Sequence, residues 1–210
     1  MKYFTEKNIN AYDKKADNYD NSFEGKFTEK FKTLLLNNLA LEDGDCVLDV
    51  ACGTGMLLSR VAERKSIQGF GVDISSQMIK NAASRYPNLS FAVSDCEKIP
   101  FDDASMDIIT VCAAYHHFPN VNAFALEAKR LLKKNGSIYI ADVYLPSGIR
   151  HIANIFLPRS KDGDVKFHSQ KEIAETFSNV GFRHIRTIIS GQVQMIHLQI
   201  DKIILKESVS

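Results

Sequence analysis

The sequence predicts a doubly wound α/β fold: a mostly parallel, seven-stranded sheet, preceded by helices and closed by an antiparallel C-terminal hairpin. Three observations carry that expectation. From Asp45 onward, short β-rich runs alternate with helical patterns. The runs are apolar without strict alternation, as strands buried on both faces must be. Pro87-Asn88 and Asn135-Gly136 stand where the intervening helices should stop.

Phe23, Phe27, Phe31, Leu34, Leu35 and Leu39 recur every three or four positions, the stripe of an amphipathic helix. Residues 1–43 are therefore expected to form a mostly helical cap. Residues 44–143 should form the ligand-binding core. Its predicted order is strand Cys46–Ala51, helix Met56–Arg64, strand Ile67–Val72, helix Ser75–Arg85 and strand Leu89–Val93. A short helix over Cys96–Ile99 follows, then strand Ile108–Ala113, helix Val121–Lys133 and strand Ser137–Val143.

Residues 144–168 break this rhythm. Pro146, Gly148, Pro158 and a Lys161-Asp162-Gly163-Asp164 turn surround the apolar patch Ile152 to Leu157, so this stretch reads as an inserted loop or lid. Ser169 followed by Glu172 is a capping box, which starts a helix running to about Asn179, with Gly181 just past its end. Two β runs, Phe182–Ser190 and Gln194–Lys206, joined at Gly191-Gln192, complete the hairpin over residues 169–210. No internal repeat or Gly/Ser-rich linker interrupts the chain, so residues 1–210 read as a single domain.

The 26 basic residues balance 25 acidic ones, and no block of five like charges occurs. That argues against duplex nucleic acid or an anionic membrane as partner. The longest apolar run, Ile108 to Tyr115, is interrupted at Thr110 and falls far short of the roughly 20 residues a spanning helix needs. The polar N-terminal stretch has no apolar core of a signal peptide, so a cytoplasmic location is expected. Cys46, Cys52, Cys96 and Cys112 form no C-x-x-C pair; they read as small buried hydrophobes, and no metal is expected.

The first strand and its turn read VLDVACGTG, placing Gly53 and Gly55 at the carboxyl end of a strand, just before a helix. Ligands bind there in open parallel sheets, because glycine lets backbone N–H groups approach and the helix N-terminus favours negative charge. Asp73 closes the second strand, where a carboxylate can hold both ribose hydroxyls; its alternative role is to cap the next helix. A dinucleotide fingerprint would place a third glycine at position 58, which is Leu58. Asp49 would sit badly beside a pyrophosphate but suits a ligand carrying an ammonium group.

With these features stand YDKKADNYD (12–20), GVDIS (71–75), SDCEKIPFDDASMDIITVCAAYHHF (94–118), LLKKNGSIYIAD (131–142) and FHSQKEIAETFSNVGF ending at Phe182. In these six blocks the chain resembles the class I S-adenosylmethionine-dependent methyltransferases of the type 11 group. The resemblance implies a Rossmann-like fold and S-adenosyl-L-methionine as cofactor, leaving S-adenosyl-L-homocysteine. Ala51, Cys52, Gly53 and Gly55 would lie against its methionine portion, with Asp49 fixing the amino group. Asp73 would hold the ribose, Ile74 and Met78 would pack on the adenine, and Asp95 with the Cys96 backbone would meet the adenine edge. Ala113 would touch the methionine part through its backbone.

Tyr12 and Tyr19 match the family's N-terminal pattern and, seven residues apart, fall on one face of a helix; that helix either closes over the cofactor, with one tyrosine reaching its methionine end, or is simply sealed onto the domain by both rings. His116 and His117 fall at the pocket rim, either as a general base or as loop-fixing hydrogen-bond donors, with His168 a further candidate base. The expected acceptor is a small molecule bounded by the cap and lid. Phe23, Phe27, Ile152, Ile155 and Phe156, beside Arg150, His151, Arg159 and Lys161, suggest an apolar compound with an anionic group. Two other readings compete: an S-adenosylmethionine-binding regulator without transfer activity, and an NAD-dependent oxidoreductase.

Overall fold

A computed structural model describes residues 2–157 and 163–201. The N-terminal part comprises α1 (Lys2–Lys15), a 3-10 turn (Ala16–Asn21), α2 (Phe23–Phe27) and α3 (Glu29–Leu36). Then follow β1 (Cys46–Val50), α4 (Met56–Ala62), β2 (Gln68–Asp73), α5 (Ser76–Arg85), β3 (Ser90–Val93) and β4 (Met106–Cys112). After a 3-10 turn (Tyr115–His117) come α6 (Val121–Leu131), β5 (Leu132–Val143), α7 (Ser147–Phe156), α8 (Gln170–Ser178), β6 (Phe182–Ser190) and β7 (Val193–Ile200).

The seven strands form one sheet in the order β3-β2-β1-β4-β5-β7-β6. β1 to β5 pair in parallel, while β7 runs antiparallel to both β5 and β6. Successive residues of the inner strands point to opposite faces, and both faces are covered. Leu48, Ile109 and Ile140 join Phe124 of α6 and Phe177 of α8 in one core. Val47, Ile108 and Tyr139 join Phe31 and Leu35 of α3 and Leu58 of α4 in the other. That double covering is why the strands read as unbroken apolar runs. Burying each Phe or Leu contributes about 1.5–3 kcal/mol.

Several local expectations are corrected. The N-terminal cap is broken at Ser22, whose side chain accepts from Gly25 N–H and starts α2. Gly25 permits this break, because a Cβ there would lie 2.1 Å from Tyr19 O. Residues 96–99 form a turn instead of a helix, held by Asp95 Oδ1 accepting from Glu97 N–H. β5 begins at Leu132: the pairing passes from Met106↔Leu132 to Ile108↔Ser137, so Asn135 (φ 65°) and Gly136 belong to a bulge in the strand. The helix before it ends at Leu131, ahead of the Asn-Gly pair.

The stretch after β5 contains helix α7, none of whose residues is buried. Ile149, Ile152, Ile155 and Phe156 are each more than half exposed. Pro158, Arg159, Lys161 and Asp162 lie outside the described residues, as does the tail of the last β run beyond Asp201. The capping box of α8 forms as the spacing predicts, and Gly181 adopts φ +98° after it. Among the described residues no helix is long and apolar enough to cross a membrane.

Candidate active site

β1 is flanked by β2 on one side and β4 on the other, so the chain's strand order reverses there and a crevice opens at their carboxyl ends. The backbone around this crevice is bent into the left-handed region at Ala51 (φ 58°), Gly53 (φ 53°) and Gly55 (φ 77°) after β1, and at Ala113 (φ 54°) after β4. For the two alanines that conformation costs about 1–2 kcal/mol each, and such strain concentrates at ligand sites. A Cβ on Gly53 would meet no atom within 4 Å, so this turn faces open space. Gly55 instead stands at the N-cap of α4, where a Cβ would lie 2.8 Å from Phe91, and so lets helix and strand pack closely.

The cavity at this point is walled by Tyr12, Tyr19, Asp49, Ala51, Cys52, Gly53, Asp73, Ile74, Met78, Asp95, Cys96, Ala113 and His117 among others. Thirteen residues selected from the sequence thus come together; Gly55 and His116 are not part of this wall. Asp73 does not cap α5, since Ser75 does, its side chain accepting from Met78 N–H. The Asp73 oxygens accept from Gly53 N–H (2.8 Å) and Ser75 N–H (2.9 Å), which ties the glycine turn to the end of β2. Burial raises its pKa against the pull of those amides.

Asp49 lies 1% exposed beside Thr110, whose hydroxyl donates to it at 2.7 Å. Burial pushes its carboxyl up to about 7; the Thr110 bond and the Lys32 ammonium oppose that rise, and the Asp73 charge adds to it. Lys32, from α3, is itself buried on the cavity wall and donates to Thr28 Oγ1 (2.7 Å) and Glu29 (3.1 Å).

Tyr12 lies in α1 and Tyr19 in the following 3-10 turn, not on one helix, yet their rings meet at 6.0 Å. Three aspartates of the same segment hold it over the crevice. Asp13 accepts from Ser75 Oγ (2.5 Å) and Gln77 N–H (3.2 Å), Asp17 from Gln77 Nε2 and Asn81 Nδ2 (both 3.1 Å), and Asp20 from Thr54 Oγ1 (2.8 Å) and Arg85.

A second chamber adjoins the first, sharing Tyr12, Tyr19, Thr28, Ala113 and His117 with it, and continues between Phe23, Phe27, Phe31 and Val143. Its polar end carries His116, His117 and Asp164. Asp142, at the end of β5, binds His116 twice, at Nδ1 (2.6 Å) and at the backbone N–H (2.8 Å). Burial opposes charge on His116, but the adjacent Asp142 carboxylate overcomes it and raises the pKa. His117 is held well below the usual imidazole range by burial and by its neighbour His116, and its Nε2 lies 3.1 Å from Tyr12 Oη.

Not every candidate reaches these chambers. His168 packs on Tyr115 and lines neither; burial lowers its pKa to about 4. Ile152, Ile155, Phe156, Arg150 and His151 are absent from both walls as well. Conversely, sequence reasoning missed Lys32, Asp142 and Asp164 as site residues. The signals available were a lysine within the apolar face of α3 and an aspartate ending the most apolar stretch of β5.

Residues 48–140, from β1 into β5, match the family model described as a methyltransferase domain. A demethylmenaquinone methyltransferase of Chlorobaculum tepidum is 34% identical over 100 residues, which are 48% of this chain and 41% of that protein. The chain therefore spans less than half the length of that relative. An uncharacterized protein of Methanocaldococcus jannaschii is 29% identical over 197 residues, covering 93% of this chain and 89% of its own. A chain from the complex between the Haloferax volcanii Trm112 methyltransferase activator and a methyltransferase shares the fold with a TM-score of 0.79, at 20% identity over 91% of this chain and 98% of that one. The matched segment supplies the strand ends that wall the first chamber: residues 48–140 are similar to a methyltransferase domain, and the chain shares the fold of methyltransferase structures.

Proposed function

We propose that this chain transfers the methyl group of S-adenosylmethionine to a small planar acceptor held in the aromatic chamber. The observation that carries this reading is the pair of adjoining chambers, one walled by the strand-end turns and the other by aromatic rings, which meet at Tyr12, Tyr19, Ala113 and His117.

The first chamber's chemistry fits the cofactor. Asp49 is a buried carboxyl with one hydroxyl donor from Thr110, suited to an ammonium group. Asp73 accepts backbone N–H groups on both oxygens and lines the cavity, where its carboxylate suits a ribose hydroxyl. Gly53 leaves open space where a side chain would stand, and Met78 with Ile74 offers an apolar surface. When bound, the cofactor supplies an already activated methyl on its sulfonium. The protein's part is to orient the acceptor in line with that methyl and to exclude water. Tyr12 and Tyr19, at the junction, do both under this proposal.

The lid residues give no support to an apolar acceptor with an anionic group, because those described are exposed or face elsewhere. Phe27 and Phe31 favour a flat aromatic ring instead, with the largely exposed Phe23 only at the chamber's mouth, and the His116–His117–Asp164 end favours a hydroxyl on it. The demethylmenaquinone methyltransferase relative is in keeping with such an acceptor.

Calorimetry of S-adenosylmethionine and S-adenosylhomocysteine against the wild type and Asp73→Ala, with NADH as control, tests the cofactor half. Wild-type binding weakened at least about tenfold by the substitution, with no NADH binding, is expected. Production of S-adenosylhomocysteine with hydroxylated aromatic compounds tests the other half; cofactor binding without turnover across such a panel would point to a regulator.

A further inference from the structure

His116, His117 and Asp164 come from two distant parts of the chain, yet one ligand atom of each lies within 4.8 Å of the other two. Asp164 Oδ1 is 3.1 Å from His117 Nδ1 and 3.6 Å from His116 Nε2. Two ligand bonds of about 2.0–2.1 Å at a tetrahedral angle would set their atoms about 3.3 Å apart, so these separations bracket a shared metal. The buried Nδ1 of His117 faces the Asp164 carboxylate and the Gly163 backbone. Two imidazoles and a carboxylate are thus gathered at coordination distance.

The surrounding contacts orient both imidazoles. Asp142 engages Nδ1 of His116 at 2.6 Å, which directs the Nε2 lone pair away from Asp142, to the side where Asp164 lies. Tyr12 Oη engages Nε2 of His117, which turns its Nδ1 toward Asp164. A carboxylate behind a histidine is the usual second layer of a metal centre, fixing tautomer and ring angle. The loop carrying Asp164 is anchored to the same turn, since Val165 N–H (2.9 Å) and Lys166 N–H (3.1 Å) both donate to His116 O.

We propose that His116, His117 and Asp164 bind a divalent transition-metal ion at the polar end of the aromatic chamber. Two imidazoles and one carboxylate suit Zn²⁺, Co²⁺ or Fe²⁺ and disfavour Mg²⁺ and Ca²⁺, which take oxygen ligands. Three protein ligands leave coordination positions open, and all three residues line the chamber, so an acceptor's hydroxyl oxygen can reach the ion. The ion would then lower that hydroxyl's pKa, a role that rests on the methyltransferase reading, whereas the binding itself does not.

The test uses the full chain, freed of metal by chelator dialysis, and titrates Co²⁺ followed spectroscopically and Zn²⁺ by calorimetry, with Mg²⁺ as control. One Co²⁺ per chain, with visible bands stronger than those of the aqueous ion, is expected. Asp164→Ala, on a loop, should abolish binding, and Asp142→Asn should weaken it about 10–100-fold. Circular dichroism and thermal unfolding establish that each variant is folded. No Co²⁺ spectrum in the wild type would overturn the proposal and leave the cluster a proton-held ion pair. Binding that survives Asp164→Ala would overturn it too, by locating the ion elsewhere. Metal-free S-adenosylhomocysteine binding, measured on the same preparations, separates failure of this site from failure of the cofactor reading.

Discussion

Asp49 shows what burial on the cavity wall costs a carboxyl group. Its folded pKa of about 7 lies above the ordinary carboxylate value of 3.8, so the folded state holds a proton that the unfolded chain has lost. Stability contributed in this way is present at pH 4 and lost as pH rises toward 7, by a few kcal/mol. Asp49→Asn keeps an acceptor for Thr110 and removes the charge. Thermal unfolding between pH 4 and 8 should therefore show the variant gaining on the wild type with rising pH. Cofactor binding at pH 8 should fall at least about tenfold in the same variant; unchanged affinity would remove Asp49 from the ammonium's partners. Asp49 was legible in the sequence because it is a charge inside an apolar strand before a glycine turn. Asp164 was not, because it acquires meaning only when a loop 47 positions away in the chain lies against His117.

At the scale of elements, periodicity located the sheet and most helices, since burial on two faces leaves a strong apolar trace. It failed where local chemistry or tertiary contact decides. Residues 96–99 follow an Asp95 side chain that favours a turn, and α7 has a strong apolar stripe but no residue buried against the domain. The N-terminal cap was legible as helix, but its latch was not. Asp13, Asp17 and Asp20 belong to a motif noticed for its tyrosines, and their partners Ser75, Gln77, Asn81, Thr54 and Arg85 lie more than 30 positions away. Asp13 binds both the Ser75 hydroxyl and a first-turn amide of α5, so it also meets the positive end of that helix. Asp13→Ala should raise the S-adenosylhomocysteine off-rate about 3–10-fold in stopped-flow displacement, while the unfolding midpoint in urea moves little. An unchanged off-rate would mean that the segment does not gate the crevice.

For the whole molecule, the C-terminal hairpin is an integral layer of the sheet. β7 lies against β5 from Ser137↔Gln199 to Val143↔Val193, and Met195, Ile196 and Leu198 are fully buried. Removing residues 182–210 would uncover both cores at once, Ile196 and Leu198 belonging to one and Met195 to the other. The full chain should unfold in one calorimetric transition, and a chain ending at Gly181 should show none; a surviving transition there would mean that the parallel strands fold alone.

Tyr12 and Tyr19 wall both chambers from one short segment of chain. A ligand that orders this segment does so for its neighbour as well, since the conformational entropy of the shared wall is lost only once. Linkage then requires reciprocity: whatever factor the donor adds to the acceptor's affinity, the acceptor returns to the donor. Under the proposed function, methylation converts both occupants to products at once, and the same communication that favours joint arrival then makes the departure of either one loosen the hold on the other.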